Sequence, residues 1–269
     1  TGEFAWSSNF NISFNKNKVL EVGVDGRPIY GSAANANNAF ITKPGYPIAS
    51  FYGYKYIGVF QSEEELAKYP HLSGDKVGDG RYEDVNKDGV LDQNDKTILG
   101  DNNPLFTAGF SNSFSYKNFT LDIQFTGSYG AEVFSFYKRM CGIYHGDRNG
   151  MIEQLGRWQS KDQPGDGIHF RPTRTPSGWQ RDPSSAWVQD ASYLRLRNLT
   201  LGYNFDQKVL DKMKMKGLRL YVTGQNLFTI TNYVGYDPET SSESGLAQGG
   251  DYLGYPAARS FIIGANITF

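Results

Sequence analysis

The stretch that decides the fold is Phe119–Tyr129, which reads FTLDIQFTGSY. Its odd-numbered positions carry aromatic or aliphatic residues and one glycine, whereas its even-numbered positions carry Thr, Asp, Gln and Ser. A period of two places successive side chains on opposite faces of an extended chain. We therefore predict a β-strand with one apolar, aromatic face and one polar face.

The same alternation recurs in three other segments. They are residues 4–14 near the start, Phe106–Tyr116 in a weaker form, and residues 261–269 at the end. The alternation of the following run extends back to Asn118, so only Lys117 separates it from the second of these segments. Such a short connection predicts a tight hairpin between two antiparallel strands.

Four further strand candidates are less regular. In residues 193–205 the leucines change from even positions to odd ones, which a β-bulge near Arg197 and Asn198 would explain. Residues 218–227 are short and mixed, residues 46–60 are aromatic, and residues 18–24 give the weakest pattern. The sequence therefore predicts seven or eight strands.

The composition limits the classes of protein to which the chain can belong. Phe 18, Tyr 18 and Trp 4 make up 15% of the chain, yet hydrophobic residues reach only 39% and the mean hydropathy is -0.52. Lys and Arg number 27 against 28 Asp and Glu, so a net charge of -1 offers no basic excess to a nucleic acid. The single cysteine, Cys141, cannot form an internal disulfide. We expect no nucleic-acid partner.

Two architectures produce such alternation: a soluble antiparallel β-sandwich and a transmembrane β-barrel. The predicted strands reach about ten residues, the length that a tilted strand needs to cross a bilayer. The connections are unequal, with one residue at Lys117 but long loops at 130–191 and 228–259. Short turns on one side and long loops on the other are typical of a barrel. The fold class that we predict is all-β, with antiparallel strands of a transmembrane barrel and long extracellular loops.

The start of the chain predicts a piece of a longer protein. Thr1-Gly2-Glu3-Phe4 contains no initiator Met and no apolar leader, and it continues directly into a strand pattern. No stretch of about 18 apolar residues occurs, which excludes a transmembrane helix. We therefore interpret residues 1–269 as one portion of a barrel.

Residues 84–95, DVNKDGVLDQND, match the calcium-binding loop of EF-hands. Such a loop supplies six or more oxygen ligands to a hard cation, and the glycine at its sixth position permits the tight turn. The candidate ligands of Ca2+ are Asp84, Asn86, Asp88, the carbonyl of Val90, Asp92 and Asp95. The alternative is an acidic solvated turn that only resembles the motif.

Sequence features of an enzyme are sparse. His71, His145 and His169 show no recurrent metal spacing, and neither a nucleophile elbow nor a phosphate-binding loop is present. We therefore predict no catalytic residues and no enzyme activity. Aromatic and arginine side chains in the long loop are candidates for stacking on a sugar or gripping a peptide, or for packing the loop itself. They are Tyr144, Arg148, Arg157, Trp158, Trp179 and Trp187.

Four groups of residues carry a resemblance to a known family. They are GYPI at 45–48 with FYGY at 51–54, SYLRLRNLTLGY at 192–203, YVTGQNLF at 221–228 with GYDPE at 235–239, and YPAARSF at 255–261 running on to Phe269. In this order and spacing, the chain resembles the C-terminal part of the SusC/RagA-type TonB-linked outer-membrane transporters. The resemblance spans nearly the whole chain.

The resemblance implies a barrel of about 22 strands, of which this chain supplies the C-terminal seven or eight. It implies that a plug domain, the N-terminal strands and a TonB-contacting segment lie outside the chain. The implied function is TonB-dependent import of oligosaccharides or oligopeptides through the outer membrane of a Gram-negative bacterium, with a SusD-like surface lipoprotein as a lid. The lipid bilayer would surround the barrel, and the terminal aromatic, Phe269, would act as an assembly signal.

A function from another class stays open on the residues alone. It is a soluble, calcium-stabilised β-sandwich that serves as a binding module of a secreted glycan-processing protein. Its apolar faces would be covered by a second sheet, whereas those of a barrel would face lipid.

Overall fold

The structure is a computed structural model that describes residues 3–33, 36–142, 149–173, 182–240 and 244–269. The strands in these ranges are β1 (Phe4–Ser13), β2 (Ile29–Ala33), β3 (Ala36–Thr42), β4 (Ser50–Gly53), β5 (Tyr56–Val59), β6 (Gly80–Tyr82), β7 (Thr97–Gly100), β8 (Phe106–Tyr116), β9 (Phe119–Tyr129), β10 (Glu132–Ser135), β11 (Val188–Asp190), β12 (Tyr193–Asn204), β13 (Gly217–Thr231), β14 (Gly250–Asp251) and β15 (Ser260–Thr268). The helices are α1 (Glu63–Lys68), α2 (Phe136–Gly142) and α3 (Gln207–Met213). None of these helices has the length and apolarity to cross a membrane.

The long strands form one antiparallel sheet in the spatial order β1-β8-β9-β12-β13-β15. The all-β, antiparallel prediction is confirmed, but this sheet has six strands rather than seven or eight. Residues 46–60 divide into β4 and β5 of smaller sheets, and residues 18–24 form no strand. The longer run is interrupted at Tyr54 and Lys55, between β4 and β5, where Tyr54 forms an isolated bridge with Ser184.

The predicted hairpin and bulge are both present. Tyr116 pairs with Phe119, and Lys117 has a φ of 51° in the turn between them. The register of β12 shifts between Leu196 and Asn198 against both of its neighbours. Because of this shift, the leucines before and after the bulge lie on the same face of the sheet.

All long connections leave the sheet at the same end of its strands. Residues 14–105 join β1 to β8, residues 130–192 join β9 to β12, and residues 232–259 join β13 to β15. The connections at the other end of the strands are the two-residue turn at 117–118 and residues 205–216, which contain α3. The predicted division into short turns on one side and long loops on the other is confirmed.

The three long connections pack together into one body, which we call the loop subdomain (residues 14–105, 130–192 and 232–259, as far as they are described). Its core combines residues from all three connections, such as Phe40, Phe134 and Ala247, each with 0% exposure. Smaller sheets, β2-β3-β4-β7 and β11-β10-β14, frame this core. The loops are therefore a folded unit at one end of the strands of the six-stranded sheet.

Candidate functional site

One face of the six-stranded sheet is apolar and uncovered. Trp6, Phe10, Val222 and Ile263 lie on it with exposures of 63%, 62%, 48% and 85%. Within the described part of the chain, no second sheet packs on this face. A sandwich buries such a face against another sheet, so the sandwich alternative is wrong for this fold.

The length of the apolar face matches a bilayer. Phe119 and Tyr129 end β9, and ten steps of about 3.3 Å separate them by roughly 33 Å along the strand. A strand tilt of about 40° reduces this span to roughly 25 Å, the height of the apolar band on membrane barrels. Aromatic residues mark both ends of the band, where Phe119 contacts Tyr203 at 4.9 Å between ring centroids and Phe106 contacts Tyr129 at 5.5 Å.

A polar side chain on the apolar face, Asn112, accepts a hydrogen bond from a neighbouring side chain on the same face. Asn112 is 9% exposed, and its Oδ1 accepts a hydrogen bond of 3.0 Å from the indole Nε1 of Trp6. A polar group without such a partner would cost several kcal/mol in a hydrocarbon environment. The pairing makes Asn112 compatible with lipid around it.

The opposite face of the sheet carries hydrogen-bonded pairs of polar side chains. Asn198 Nδ2 donates to Gln124 Oε1 at 2.8 Å, and the hydroxyls of Thr200 and Thr223 lie 2.8 Å apart. Ser113 donates to Asp122 at 2.6 Å. Such a face is typical of a water-filled lumen.

Two arginines of β12 bind the connection after β13 to this polar face. Arg195 is 3% exposed and donates to Asp237 Oδ1 at 2.6 Å and to Glu239 Oε2 at 2.5 Å. Arg197 and the hydroxyl of Tyr193 both donate to Glu239 Oε1. The cluster therefore fixes the start of the third long connection over the sheet.

The charge of Asp237 is stabilised in this cluster. Burial would raise the pKa of its carboxyl, but the hydrogen bond from Arg195 and those from the backbone amides of Ala257 and Glu239 outweigh burial and lower it. None of the predicted sites includes this cluster. The signal that could have identified it is the opposite charge of two quoted motifs, LRLR at 194–197 and DPE at 237–239.

The predicted calcium loop forms a tight turn around its acidic residues. Gly89 has a φ of 84° and donates from its backbone amide to Asp84 Oδ2 at 2.9 Å. Asp95 is fully buried and accepts from the amides of Val85 and Asp92, both at 2.8 Å. The carboxylates thus stabilise the turn of the loop itself.

The loop offers oxygen donors, but its acidic side chains do not converge on one point. Among the described residues, no group of three or more His, Cys, Asp or Glu side chains is arranged to hold a metal ion. Asp84 Oδ1 is buried without a hydrogen-bond partner, which is the one feature that fits a cation ligand. Ca2+ binding by Asp84, Asn86, Asp88, Val90, Asp92 and Asp95 stays a prediction.

Three of the predicted substrate contacts, Arg157, Trp158 and Trp187, lie in the part of the chain that the structure describes. Trp187 is 2% exposed and belongs to the core of the loop subdomain, and its contact with a ligand stays a prediction. Trp158 packs on Gly78, where an added Cβ would lie 2.4 Å from the ring, and Arg157 donates to the carbonyl of Gln154 at 2.9 Å. These side chains pack within the loop subdomain, where Trp187 is buried and Arg157 and Trp158 are half-buried. Tyr144, Arg148 and Trp179 lie outside the described residues.

Comparisons with known proteins agree with this architecture. The chain is 34% identical to the TonB-dependent receptor P3 of Formosa agariphila over 278 residues, which cover 99% of the chain and 27% of that receptor. It is 27% identical to the TonB-dependent receptor SusC of Bacteroides thetaiotaomicron, covering all of the chain and 25% of SusC. The chain thus spans about a quarter of the length of the curated relatives that it matches. No protein-family model matches it.

Solved structures with the same fold come from a peptide transporter. The chain aligns with the RagAB peptide transporter at a TM-score of 0.77 and 20% identity, covering 99% of this chain and 27% of that one. The RagAB peptide importer in its open-open state gives a TM-score of 0.76 at 21% identity. The resemblance that the motifs indicate is therefore confirmed: the chain is similar along nearly its whole length to part of the SusC-type TonB-dependent receptors, and its fold is that of the C-terminal part of RagA- and SusC-type barrel transporters.

Proposed function

We propose that the chain is part of a TonB-dependent transporter that imports nutrients through the outer membrane of a Gram-negative bacterium. The observation that carries this proposal is the six-stranded sheet, whose uncovered apolar face has the height of a bilayer and whose other face is polar. The sheet would form a wall of the barrel, with lipid on one side and the transport path on the other. Similarity to curated TonB-dependent receptors supports the same function.

In this proposal the loop subdomain lies outside the cell and the turn at Lys117 lies in the periplasm. Short turns face the periplasm in bacterial barrels, and long loops face the exterior. A SusD-like lipoprotein would dock on the outer side, as the names SusC and RagAB among the matched proteins support. The rest of the barrel, the plug and the contact with TonB would come from other parts of the transporter.

The imported nutrient is an oligosaccharide or an oligopeptide. The test compares the growth of a deletion strain with that of the same strain complemented with the full-length gene. One medium supplies an oligosaccharide as sole carbon source, and the other supplies an oligopeptide. We expect the deletion to abolish growth on one medium and loss of TonB to have the same effect. Equal growth of the deletion strain and the complemented strain on both media would contradict the proposal.

We further propose that Phe269 is read as an assembly signal. The side chain is 77% exposed and follows the last residue of β15. Deleting it should reduce the amount of assembled transporter in the outer membrane far more than transport per assembled molecule. Replacing Ile263 with Ala on the same strand is the matched control, because it removes a lipid-facing side chain and keeps Phe269. Heat-modifiability gels of membranes measure assembly, and wild-type abundance after the deletion would refute the role.

A further inference from the structure

A cleft of about 460 Å³ opens where the chain leaves β1 and where it enters β8, next to the loop subdomain. The end of the cleft at the sheet is aromatic, because Phe14 directly follows β1 and its ring lies 6.1 Å from that of Phe106. Phe14 is 71% exposed and continues the outward row of rings on the apolar face. The cleft therefore begins where the apolar band of the sheet ends.

Two lysines line the cleft beyond this ring. Lys16 and Lys18 are both exposed, and neither forms an ion pair with a described residue. A chain spans at most about 3.6 Å per residue, so Lys16 lies within roughly 7 Å of Phe14 and Lys18 within roughly 14 Å. The polar layer on each side of the hydrocarbon core of a bilayer is roughly 5–7 Å thick. The flexible stems of the two lysines can place both ammonium groups at this level.

The backbone that carries the two lysines is held in place. Asn17, between them, donates from Nδ2 to Asn103 Oδ1 at 2.7 Å, and its own Oδ1 accepts from the amide of Ile48 at 3.0 Å. The amide of Val19 donates to the carbonyl of Tyr46 at 2.9 Å. The two lysines thus project from a fixed segment, so little backbone order is lost when they bind a ligand.

The cleft carries an excess of positive charge. Its described lining contains the two lysines and one carboxylate, that of Asp101. Asp101 Oδ1 accepts from the backbone amide and from Nδ2 of Asn103 at 2.9 and 2.7 Å, which holds this carboxylate against its own loop. Asn15 adds an exposed side-chain amide that can donate. These donors match an anion that offers several oxygens, such as a phosphate group.

From this position and charge we infer that the cleft binds a phosphate group of lipid A, the lipid portion of lipopolysaccharide. The inference rests on the proposed function, because that function places the apolar face in an outer membrane and the loop subdomain outside the cell. On that side the membrane surface consists of lipopolysaccharide, whose lipid A carries phosphate on its sugar backbone. An acyl chain would contact Phe14 while the phosphate reaches Lys16 and Lys18. Lysine binds phosphate as a point charge, and the attraction adds to the contact between the acyl chains and the apolar face.

Native mass spectrometry of the full-length transporter, purified in mild detergent, tests the inference. The probes are lipid A, dephosphorylated lipid A and inorganic phosphate. We expect the wild type to retain lipid A about 25-fold better than the dephosphorylated form, from about fivefold for each lysine at a membrane surface. Lys16→Gln combined with Lys18→Gln should remove this preference. Lys208→Gln combined with Lys212→Gln makes the same change of charge at exposed positions of α3, at the other end of the strands, and should bind like the wild type.

Lys16→Arg combined with Lys18→Arg keeps the charge and should keep the preference, which separates attraction from an effect on folding. Equal retention of the two lipids by the wild type, or an unchanged preference in the double Gln variant, would overturn the inference. Binding of inorganic phosphate as tight as that of lipid A would assign the cleft to a free anion and overturn it as well. The same holds if the double Gln variant retains lipid A but loses a co-purified lipoprotein. A full-length protein that forms no heat-modifiable barrel would instead contradict the proposed function.

Discussion

The six-stranded sheet and the loop subdomain use the same residue types in opposite ways. In the sheet, aromatic and aliphatic side chains point outward, and Phe261 and Ile263 are 73% and 85% exposed. In the loop subdomain such side chains point inward, and Phe51 and Phe134 are 0% exposed. The sheet has the arrangement of a membrane-spanning protein, with apolar side chains on its outer surface. The loops have the arrangement of a water-exposed domain, with apolar side chains in a core.

This difference explains the unusual composition. A chain with 15% aromatic residues and a mean hydropathy of -0.52 supplies one set of rings to a lipid-facing surface and another to a compact core. The remaining polar residues serve the lumen face and the surface of the loops. The two regions should therefore respond differently to the same substitution.

The largest expected effect is loss of a ring from the loop core. Phe134 contacts the rings of Phe136, Phe40 and Phe51 at centroid distances of 5.3, 5.9 and 6.2 Å. Phe134→Ala should destabilise the loop subdomain by about 3–5 kcal/mol and expose it to protease while the sheet stays intact. Phe261→Ala is the matched control on the lipid-facing surface. Equal protease sensitivity of the two variants would show that the loops have no core of their own.

A second prediction concerns the joint between the two regions. Arg195→Met removes the buried guanidinium that donates to Asp237 and to Glu239 Oε2, and such a loss costs about 3–5 kcal/mol. Limited proteolysis within residues 232–240 should increase, whereas Arg259→Met, at an exposed position, should have no effect. Unchanged cleavage in Arg195→Met would exclude the cluster as an anchor.

The same joint should depend on pH in a defined direction. Because the pKa of Asp237 is lowered in the folded state, its stabilising contribution is complete above the usual carboxyl pKa of about 3.9. It should be lost as the pH falls through the lower folded-state value. Wild-type loops should thus become protease-sensitive only in strong acid, and Arg195→Met should flatten this dependence. Hydrogen exchange of residues 232–240 across acidic pH values measures it.

An intermediate effect is expected for a charge on the lipid-facing surface. Ile123 lies near the middle of β9 on the apolar face, between Asn112 and Leu199. Ile123→Arg should destabilise the assembled barrel by about 2–4 kcal/mol and reduce its amount in the outer membrane. Gln124→Arg places the same charge on the polar face and should be tolerated. If both variants assemble equally well, the apolar face does not contact lipid.

The smallest structural effect is expected in the predicted calcium loop. Asp84→Ala combined with Asp88→Ala removes two candidate ligands and should weaken Ca2+ binding, with a change below about 1 kcal/mol in metal-free stability because the loop is largely exposed. Calorimetric titration of the full-length protein measures the affinity. Asn94→Ala changes the same loop outside the candidate ligands and should bind Ca2+ like the wild type. Unchanged stoichiometry in the double variant would rule the site out.

The sequence by itself determined the two faces of the sheet. Alternation with a period of two is a local property, so Phe119–Tyr129, the turn at Lys117 and the bulge beside Arg197 could all be predicted from neighbouring residues. The same alternation identified the chemistry of each face. The family resemblance followed from short motifs that need no knowledge of packing.

Only the tertiary structure decided how the loops are built. Phe40, Phe134 and Ala247 meet in one core although they lie in three separate connections, and no periodicity in the sequence reports such a contact. For the same reason Trp187 could not be recognised as buried, and the acidic partners of Arg195 could not be assigned. Residues 46–60 were predicted as one strand but divide at Tyr54 and Lys55, where Tyr54 pairs with Ser184 of the second long connection, a contact that no neighbouring residue in the sequence reports.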